Sequence, residues 1–284
     1  MDMLRHVNNV TYLDYLQEAR IDLLLNHGDG DAFLSLADGA QIVSHQVQYV
    51  APLTFRLRPI LVDTWVVELG PDSAGPDSLG EFTLAHEVYD VRDGQRTVYL
   101  RARSVLARFR YDEDRRRPLS DREREVLTAY LDDDVLGDRV PIGPPREVAD
   151  GAYDLRVRFS DLDAFGIVDE VQHFEFFQEA RVNYLTRVWK RAGAMGARTP
   201  MVIAQMDVDY LEPMRFRSEP FTVRSWVSHV GRSSFVVESD LRDPTSGETF
   251  SRARVVLVSF DPATQKAAPA PEELRDLWLA ELGR

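Results

Sequence analysis

The sequence contains no cysteine, which excludes disulfides, thiol nucleophiles and thiolate zinc sites. A reducing compartment fits this absence, so we expect a cytoplasmic protein. Positive charge is also scarce, because 34 Lys and Arg residues face 47 Asp and Glu residues. The net charge of −13 makes nucleic acid and anionic lipid surfaces poor partners. No apolar run approaches the ~20 residues that span a bilayer, and no leader-like succession opens the chain, so we expect neither membrane insertion nor export.

Several catalytic motifs are missing as well. The sequence has no G-x-S-x-G elbow, no G-x-x-x-x-G-K-S/T loop, no H-E-x-x-H pair and no G-x-G-x-x-G after a strand. Its six histidines do not cluster at the spacing of metal ligands. The function must therefore be sought outside the chemistries that these motifs serve.

The sequence contains an internal repeat. Gln-Glu-Ala-Arg occurs at 17–20 and again at 178–181, which sets an offset of 161 residues. Applied without gaps from Asp2 and Asp163 to Gly70 and Gly231, this offset gives 19 identical pairs out of 69. A duplication explains so many matches in one register. We predict a first repeat at 1–131, an acidic and proline-rich linker at 132–150, and a second repeat at 151–284.

Both repeats predict one long helix, then four strands, then a short helix. The first long helix should begin after Asn8 or Asn9 and run to about Asn26, with apolar residues around most of its circumference, so that it must be wrapped by other elements. The strands are predicted from alternating or β-rich runs at 42–50, 60–69, 82–91 and 97–110, and at 201–210, 221–230, 235–241 and 249–260. A Ser120/Glu123 capping box and Pro271 should start the closing helices. The Gly, Pro and Ser-rich stretch 70–80 is an insertion in the first repeat.

The two repeats differ ahead of their long helices. Apolar residues at 153, 155, 157 and 159 alternate as in a half-buried strand, directly before Asp163. At the offset of 161, Met1 corresponds to Leu162, so the first repeat has no counterpart of this strand. We expect the natural product to begin about ten or more residues upstream. The alternative is that the first repeat has lost the strand and its site, which leaves the chemistry to Asp163.

The segments before the two long helices are the most informative. They read Asp2-Met-Leu-Arg-His-Val-Asn-Asn and Asp163-Ala-Phe-Gly-Ile-Val-Asp-Glu, each followed by Glu-Ala-Arg on the helix, by Tyr-x-x-Pro and, in the second repeat, by Gly-Arg-Ser-Ser at 231–234. In this order and spacing the chain resembles the hotdog-fold thioesterases of the 4-hydroxybenzoyl-CoA thioesterase type. The resemblance implies an α+β double hotdog, in which each repeat wraps a curled antiparallel sheet around its long helix.

The resemblance also implies an activity, the hydrolysis of an acyl-CoA thioester to free acid and CoA. Asp2 and Asp163 would serve as nucleophile or general base, and backbone amides near Asn9 and Glu170 would bind the carbonyl oxygen. His6 would bind the substrate or position the carboxylate. Free amides and the helix dipole at a helix start suit this task. No metal or redox cofactor is implied, since CoA enters as part of the substrate.

Further substrate contacts are predicted at Gly166 and Asn8, and at Arg232, Ser233 and Ser234 for the pantetheine or nucleotide of CoA. The alternative interpretation makes Asn8 and Asn9 structural, one of them as the helix N-cap, and makes 231–234 an ordinary turn that leads into a strand. In the family that the chain resembles, each site is built from two hotdogs. We therefore expect an intramolecular pseudo-dimer with one composite site, in which the first helix start faces residues 231–234. Whether the protein forms further homo-oligomers stays open. A site led by Asp163 is the competing arrangement.

Other functions stay open at this point. Hotdog proteins include non-catalytic acyl-CoA binders and sensors, acyl-carrier-protein thioesterases, and hydratases or dehydratases. The Asp and His pair of a hydratase is not found. The negative charge disfavours an acidic carrier protein. The sequence does not specify the acyl group.

Overall fold

The computed structural model describes residues 6–26, 39–54, 57–70, 80–113, 115–148, 150–193, 200–261, 264 and 266–283. The chain divides into two compact units, Met1–Arg139 and Val140–Arg284. The division falls within the stretch that the sequence predicts as the linker. Asp2 and residues 71–79 of the predicted insertion lie outside the described residues.

The first unit contains one long helix, a four-stranded sheet and a short helix. Its elements are α1 (Thr11–Asn26), β1 (Ala40–Tyr49), β2 (Leu61–Leu69), β3 (Glu81–Arg92), β4 (Gln95–Arg110), β5 (Arg115–Arg116) and α2 (Asp121–Thr128). The strand order is β2-β3-β4-β1, every pair is antiparallel, and β5 pairs with β4. Ser120 caps α2 in the predicted capping box with Glu123.

The second unit repeats this plan and adds a strand. Its elements are β6 (Ala152–Leu155), a 3-10 turn (Phe159–Asp161), α3 (Glu170–Arg191), β7 (Met201–Tyr210), β8 (Phe221–Val230), β9 (Ser234–Arg242), β10 (Thr249–Asp261), β11 (Lys266–Ala267) and α4 (Glu272–Leu282). The order β7-β10-β9-β8 matches that of the first unit, and β6 extends the sheet beyond β8. Each unit is therefore a hotdog, and the predicted double hotdog is confirmed.

The long helices supply the core of each unit because apolar side chains surround them. In α3 the aromatic run Phe174, Phe176 and Phe177 is at most 3% exposed, as expected of core residues. In α1, Tyr12, Leu13 and Leu16 are buried just as deeply. Burial on this scale contributes about 25 cal/mol for each Å² of apolar surface removed from water, and this gain outweighs the weak helix propensity of the aromatic residues.

Two expectations need correction. The alternation at 153–159 predicts one strand, but β6 ends at Leu155 and Phe159 is 80% exposed, because the chain bends into the 3-10 turn there. The Glu-Ala-Arg motifs by themselves predict a helix-surface or interface ion pair, Glu18 with Arg20 and Glu179 with Arg181. The surface version is wrong, because Arg20 and Arg181 are only 6% and 5% exposed. These arginines belong to the interiors of their units.

No helix among the described residues has both the length and the apolar composition that crossing a membrane requires.

Candidate functional site

A short antiparallel bridge holds the loop before each long helix. In the second unit the Val168 N–H donates to the Met214 carbonyl at 2.8 Å, and Ile167 is bridged to Arg215. In the first unit the Val7 N–H donates to the Leu53 carbonyl at 2.8 Å. All of these residues are related by the 161-residue offset, so the duplication preserved the anchoring of both loops.

Asp163 lies at the beginning of the loop in the second unit. Its Oδ1 accepts hydrogen bonds from the backbone N–H groups of Phe165 at 2.8 Å and Ile167 at 3.0 Å. The side chain is half-buried, and no described residue donates to its second oxygen, Oδ2. A carboxylate held by one oxygen in this way keeps a fixed orientation while the other oxygen can act on a substrate or a water molecule.

Gly166 shapes the same loop through its backbone. Its φ is +74°, in the left-handed region that residues with a Cβ rarely adopt, and its N–H donates to the Asp163 carbonyl at 3.2 Å. The sequence predicts Gly166 as a substrate contact. Its positive φ is a conformational reason for a glycine at this position. Arg5 stands at the equivalent position of the first repeat, outside the described residues.

The start of α3 follows directly. Asp169 is the N-cap, and its Oδ1 accepts from the Val171 N–H at 2.8 Å. Glu170 is the first helical residue, and its carbonyl accepts from the Tyr210 hydroxyl at 2.8 Å. Asp163, Gly166 and Glu170 therefore share one loop and helix start.

His173, one turn into α3, is the histidine that belongs to this helix start. It is 2% exposed, its Nδ1 lies 2.8 Å from Ser251 Oγ, and its ring packs edge-on against Tyr210 at 5.1 Å between centroids. Burial lowers the pKa of His173 to about 4, although the nearby negative charge of Glu170 opposes this effect. His173 is therefore neutral near pH 7 and serves as a hydrogen-bonding group.

The first unit builds its helix start from two asparagines. Asn8 Oδ1 accepts from the Val10 N–H at 2.9 Å, which is the capping role expected for one asparagine of the pair. The Asn9 carbonyl accepts a hydrogen bond from the Tyr49 hydroxyl at 3.0 Å. His6 is half-buried and bridged to Thr54.

The donor groups of Asn9 are unusual. Its side-chain Nδ2 is buried without a hydrogen-bond acceptor, and no described residue accepts from its backbone N–H. A buried donor without an acceptor costs about 1–3 kcal/mol, so it is seldom kept without a compensating role. A buried, unbonded side-chain donor beside an open backbone N–H at a helix start suits a carbonyl oxygen that arrives with the substrate.

Residues 231–234 form the turn between β8 and β9. The Gly231 N–H donates to the Ser234 carbonyl at 2.7 Å, and the Ser233 carbonyl accepts from the Ser259 N–H at 2.8 Å. Arg232 is exposed, and its guanidinium makes no ion pair with any residue that the structure describes. None of the hydrogen bonds of this turn reaches the Asp163 loop. Arg232 remains available to an anionic group.

Sequence reasoning missed a buried polar network in the first unit. Thr64 Oγ1 lies 2.9 Å from His86 Nδ1, His86 Nε2 lies 3.1 Å from Ser104 Oγ, and Ser104 Oγ lies 2.9 Å from His45 Nδ1. Burial and the nearby Arg20 lower the pKa of both histidines, to about 3 for His45. Strand pairing places Ser225, Ser239, Val255 and Met206 at the equivalent positions of the second unit.

Comparison with known proteins agrees with the geometry. The family described as the thioesterase-like superfamily matches residues 1–130 and 157–277, which is most of the chain and both repeats. The protein YsmA of Bacillus subtilis is 28% identical over 125 residues, 44% of this chain and 82% of its own. The acyl-CoA thioester hydrolase YbgC of Escherichia coli is 23% identical over 123 residues, 43% of this chain and 90% of its own.

Several solved structures match the double architecture, and one of them serves as an example. The 12:0-ACP thioesterase from Umbellularia californica superposes with a TM-score of 0.67 at 16% identity, covering 91% of this chain and 90% of its own. At this identity the likeness concerns the fold, and it extends across both repeats. The chain belongs to the thioesterase-like superfamily, as a thioester hydrolase built from two hotdog repeats.

Proposed function

We propose that the protein hydrolyses acyl-CoA thioesters to a free acid and CoA, with an aspartate carboxylate as the nucleophile or general base. The observation that carries the proposal is the geometry of Asp163. Two backbone amides hold its Oδ1 at 2.8 and 3.0 Å, while its Oδ2 receives no hydrogen bond from the described residues. The carboxylate is thus oriented at a loop that leads into a helix start.

Thioester hydrolysis needs two things from such a site. A carboxylate must attack the carbonyl carbon or remove a proton from the attacking water, and donors must stabilise the oxygen that becomes negative. We assign the first task to Asp163, and the second to the helix-start amide of Glu170. Positive potential from the dipole of α3, a helix of 22 residues, favours the developing oxyanion.

In the first unit we assign the equivalent roles to Asp2, His6 and Asn9. The buried, unbonded Nδ2 of Asn9 supports its part as an oxyanion donor. Since Glu170 replaces an asparagine at this position in the second unit, the two units present different donor sets. We therefore propose that they contribute unequally to turnover.

The CoA portion requires a cationic contact because its nucleotide carries phosphates. Arg232, exposed and without an ion pair to any described residue, is the group that we assign to this contact, together with the hydroxyls of Ser233 and Ser234. CoA enters only as part of the substrate, so the proposed reaction uses no metal or redox group.

The test is a panel of acyl-CoA esters of different length and aromaticity, assayed for released thiol. The same acyl groups on acyl carrier protein and on pantetheine form two parallel panels. We expect saturable CoA release with at least one ester, and loss of that release in Asp163→Asn or Asp2→Asn. Saturable binding without thiol release would identify a non-catalytic acyl-CoA binder. Release from the carrier protein at more than about 100-fold higher kcat/KM would assign the substrate to that carrier instead.

A further inference from the structure

The side chain of His173 has one ring nitrogen that the fold leaves unbonded. His173 is 2% exposed, and its Nδ1 lies 2.8 Å from Ser251 Oγ. The other ring nitrogen, Nε2, forms no hydrogen bond with any residue that the structure describes. A buried polar atom without a partner is destabilising, so its presence calls for a reason, and a ligand that supplies the partner is one such reason.

The hydrogen bond to Ser251 indicates which nitrogen carries the proton. Burial lowers the pKa of His173 to about 4, so the ring is neutral near pH 7 and holds a single proton. Ser251 is fully buried, and among the described residues only His173 bonds to its hydroxyl. If the hydroxyl donates to Nδ1, only the N–H at Nε2 stays unsatisfied, whereas the reverse arrangement leaves both the hydroxyl hydrogen and Nε2 without partners. We therefore assign the proton to Nε2, which makes this atom a donor.

This donor belongs to the helix start that carries the proposed oxyanion amide. His173 follows Glu170 by three residues on α3, and helical side chains lean towards the N-terminus of their helix. The Tyr210 ring packs edge-on against His173 at 5.1 Å between centroids, while its hydroxyl donates to the Glu170 carbonyl at 2.8 Å. One tyrosine thus contacts both groups, and the imidazole lies beside the first turn of the helix.

The first unit keeps the packing of this position with different side-chain chemistry. At the offset of 161, Tyr12 stands in place of His173, and its ring packs against Tyr49 at 74°, the interplanar angle also found in the second unit. Strand pairing places Leu100 of the first unit where Ser251 stands in the second. An imidazole and a hydroxyl therefore replace a phenol ring and a leucine together, although packing alone gains nothing from burying a hydroxyl in place of a leucine.

The two helix starts also differ in their side-chain donors. In the first unit, Asn9 has its buried Nδ2 unbonded at the helix start. Its counterpart Glu170 has a carboxylate, which accepts hydrogen bonds and cannot replace an amide donor. The N–H of His173 supplies a side-chain donor to the unit that lacks the asparagine.

We propose that His173 contacts the substrate of the second unit, and that its Nε2–H donates a hydrogen bond to the thioester carbonyl oxygen beside the amide of Glu170. Ser251 is a positioning residue, because its hydroxyl holds the ring and keeps the proton on Nε2. No proton is transferred, and the hydrogen bond strengthens as the oxygen becomes negative. This inference rests on the proposed thioester hydrolysis, and it adds an imidazole to the carboxylate of Asp163 and the helix-start amide.

Nitrogen NMR of the full chain, labelled in its six histidines, tests the proton position. The signals of His173 are those that disappear in His173→Asn. We expect a neutral ring with its proton on Nε2 at pH 7, and a changed distribution between the two nitrogens in Ser251→Ala. A proton on Nδ1 in the parent chain would overturn the proposal.

The same signals test the contact with a carbonyl oxygen. The probes are ketone analogues of acetyl-, octanoyl- and benzoyl-CoA, in which a methylene group replaces the thioester sulfur. The matched controls are thioethers of CoA with the same chains and no carbonyl oxygen. At least one ketone should shift the Nε2 resonance while its thioether leaves that resonance in place. The absence of any ketone-specific shift would overturn the proposal.

Two amide variants separate a substrate contact from a structural role. His173→Asn places its amide near the position of Nδ1 and keeps a partner for Ser251, whereas His173→Gln extends an amide N–H to the position of Nε2. We expect kcat to fall about 10²- to 10³-fold in His173→Asn with little change in KM, and His173→Gln to recover most of this loss. Both variants are assayed in the parent chain and in Asp2→Asn, where turnover depends on the second unit.

The outcomes distinguish this inference from the proposed function. Equal losses of kcat in the Asn and Gln variants would indicate a packing role, and an undiminished kcat of His173→Asn in both backgrounds would exclude the contact. Either result would overturn the inference and leave the chemistry of Asp163 in place. A ketone-specific shift at Nε2 in a chain that hydrolyses no ester would support the inference and reject the proposed hydrolysis.

Discussion

The Tyr210 hydroxyl donates a hydrogen bond to the Glu170 carbonyl at 2.8 Å, which ties the end of β7 to the first residue of α3. The first unit repeats this relationship, because the Tyr49 hydroxyl donates to the Asn9 carbonyl at 3.0 Å. The residue with the proposed oxyanion-donor amide is thus held through its own carbonyl. A tyrosine at the end of a strand sets the position of each helix start.

Replacing Tyr210 by Phe should therefore disturb catalysis without removing any reacting group. The loss of one hydrogen bond costs about 0.5–1.5 kcal/mol, so we expect kcat to fall about 3- to 10-fold with little change in KM. Tyr49→Phe is the matched variant in the other unit. The unit that carries more of the turnover should show the larger loss, and an unchanged kcat in both variants would contradict the positioning role.

Asp163→Asn and Asp2→Asn should act unequally. An essential carboxylate should cost well over ~10²-fold in kcat, while Asn preserves a side-chain oxygen for the Phe165 and Ile167 amides and so leaves the Tm nearly unchanged. Paired rate and thermal-unfolding measurements check this. Equal and mild effects from both substitutions would rule out the assigned chemistry.

The buried histidines of the first unit should make stability fall in acid. His45 and His86 stay neutral in the fold because burial lowers each pKa, to about 3 for His45, whereas an unfolded histidine titrates near pH 6.5. Below pH 6.5 the unfolded chain binds protons that the folded chain excludes. Each histidine then removes up to ~1.4 kcal/mol of stability per pH unit until its folded pKa is reached.

A variant with His45→Met, Ser104→Val and His86→Ser tests whether the buried histidines cause the acid sensitivity. It replaces them and Ser104 by the residues at the equivalent positions of the second unit. The decrease in Tm between pH 7 and pH 5 should become smaller than in the parent chain. His173 is present in both proteins and controls for the acid response of the second unit. An identical decrease in both proteins would exclude the network as the cause.

Glu123 should matter more to stability than any surface carboxylate of α2. It is 2% exposed, and it accepts from Arg117 at 2.6 and 2.9 Å and lies 3.1 Å from Arg108 Nε. Glu123→Gln removes the buried negative charge that faces both guanidinium groups, which should cost roughly 3–5 kcal/mol. Glu125→Gln, whose carboxylate pairs with Arg122 at the surface, should cost less than ~1 kcal/mol.

The pH dependence of this cluster has a definite sign. Burial opposes ionisation of Glu123, but the hydrogen bonds from Arg117 and Ser120 and the charge of Arg108 lower its pKa to about 2. Its stabilising contribution is therefore complete above about pH 4.5 and is lost as the pH falls towards 2. Urea unfolding of the parent chain and Glu123→Gln should converge in that window, and a constant gap would contradict the assignment.

The effect of Arg232→Ala should show which part of the substrate Arg232 contacts. If Arg232 binds a phosphate of the nucleotide, KM for acyl-CoA should rise about 5- to 10-fold, while hydrolysis of the acyl-pantetheine should not change. Arg275→Ala, an exposed arginine on α4, is the control. Equal KM changes for both substrates would place Arg232 outside the nucleotide contact.

Much of this fold could be predicted from residue patterns, because each element occurs in both repeats and the two copies could be compared. The runs 201–210 and 221–230 are the observed β7 and β8, and Ser120 with Glu123 forms the predicted cap. The strand at 153–159 was predicted too long, because alternation does not reveal that Phe159 turns outward. Pattern alone also treats His45, Ser104 and Thr64 as ordinary polar strand residues, since their burial depends on partners far apart in the chain.

The candidate site was predictable only in part. The order of Asp163, Gly166 and the helix start is visible in the sequence, and the structure brings these residues into one loop. The unbonded Nδ2 of Asn9 could not be foreseen, because it depends on the packing around the helix start.

The hydrogen bond between the Val168 N–H and the Met214 carbonyl restrains the loop that carries Asp163. Together with the bridge between Ile167 and Arg215, it joins the Asp163 loop to the segment that follows β7 and restrains the loop against lid-like opening. If Asp163 acts as proposed, its carboxylate waits in position between substrates. No loop would then have to close over the thioester before the carboxylate could act on it.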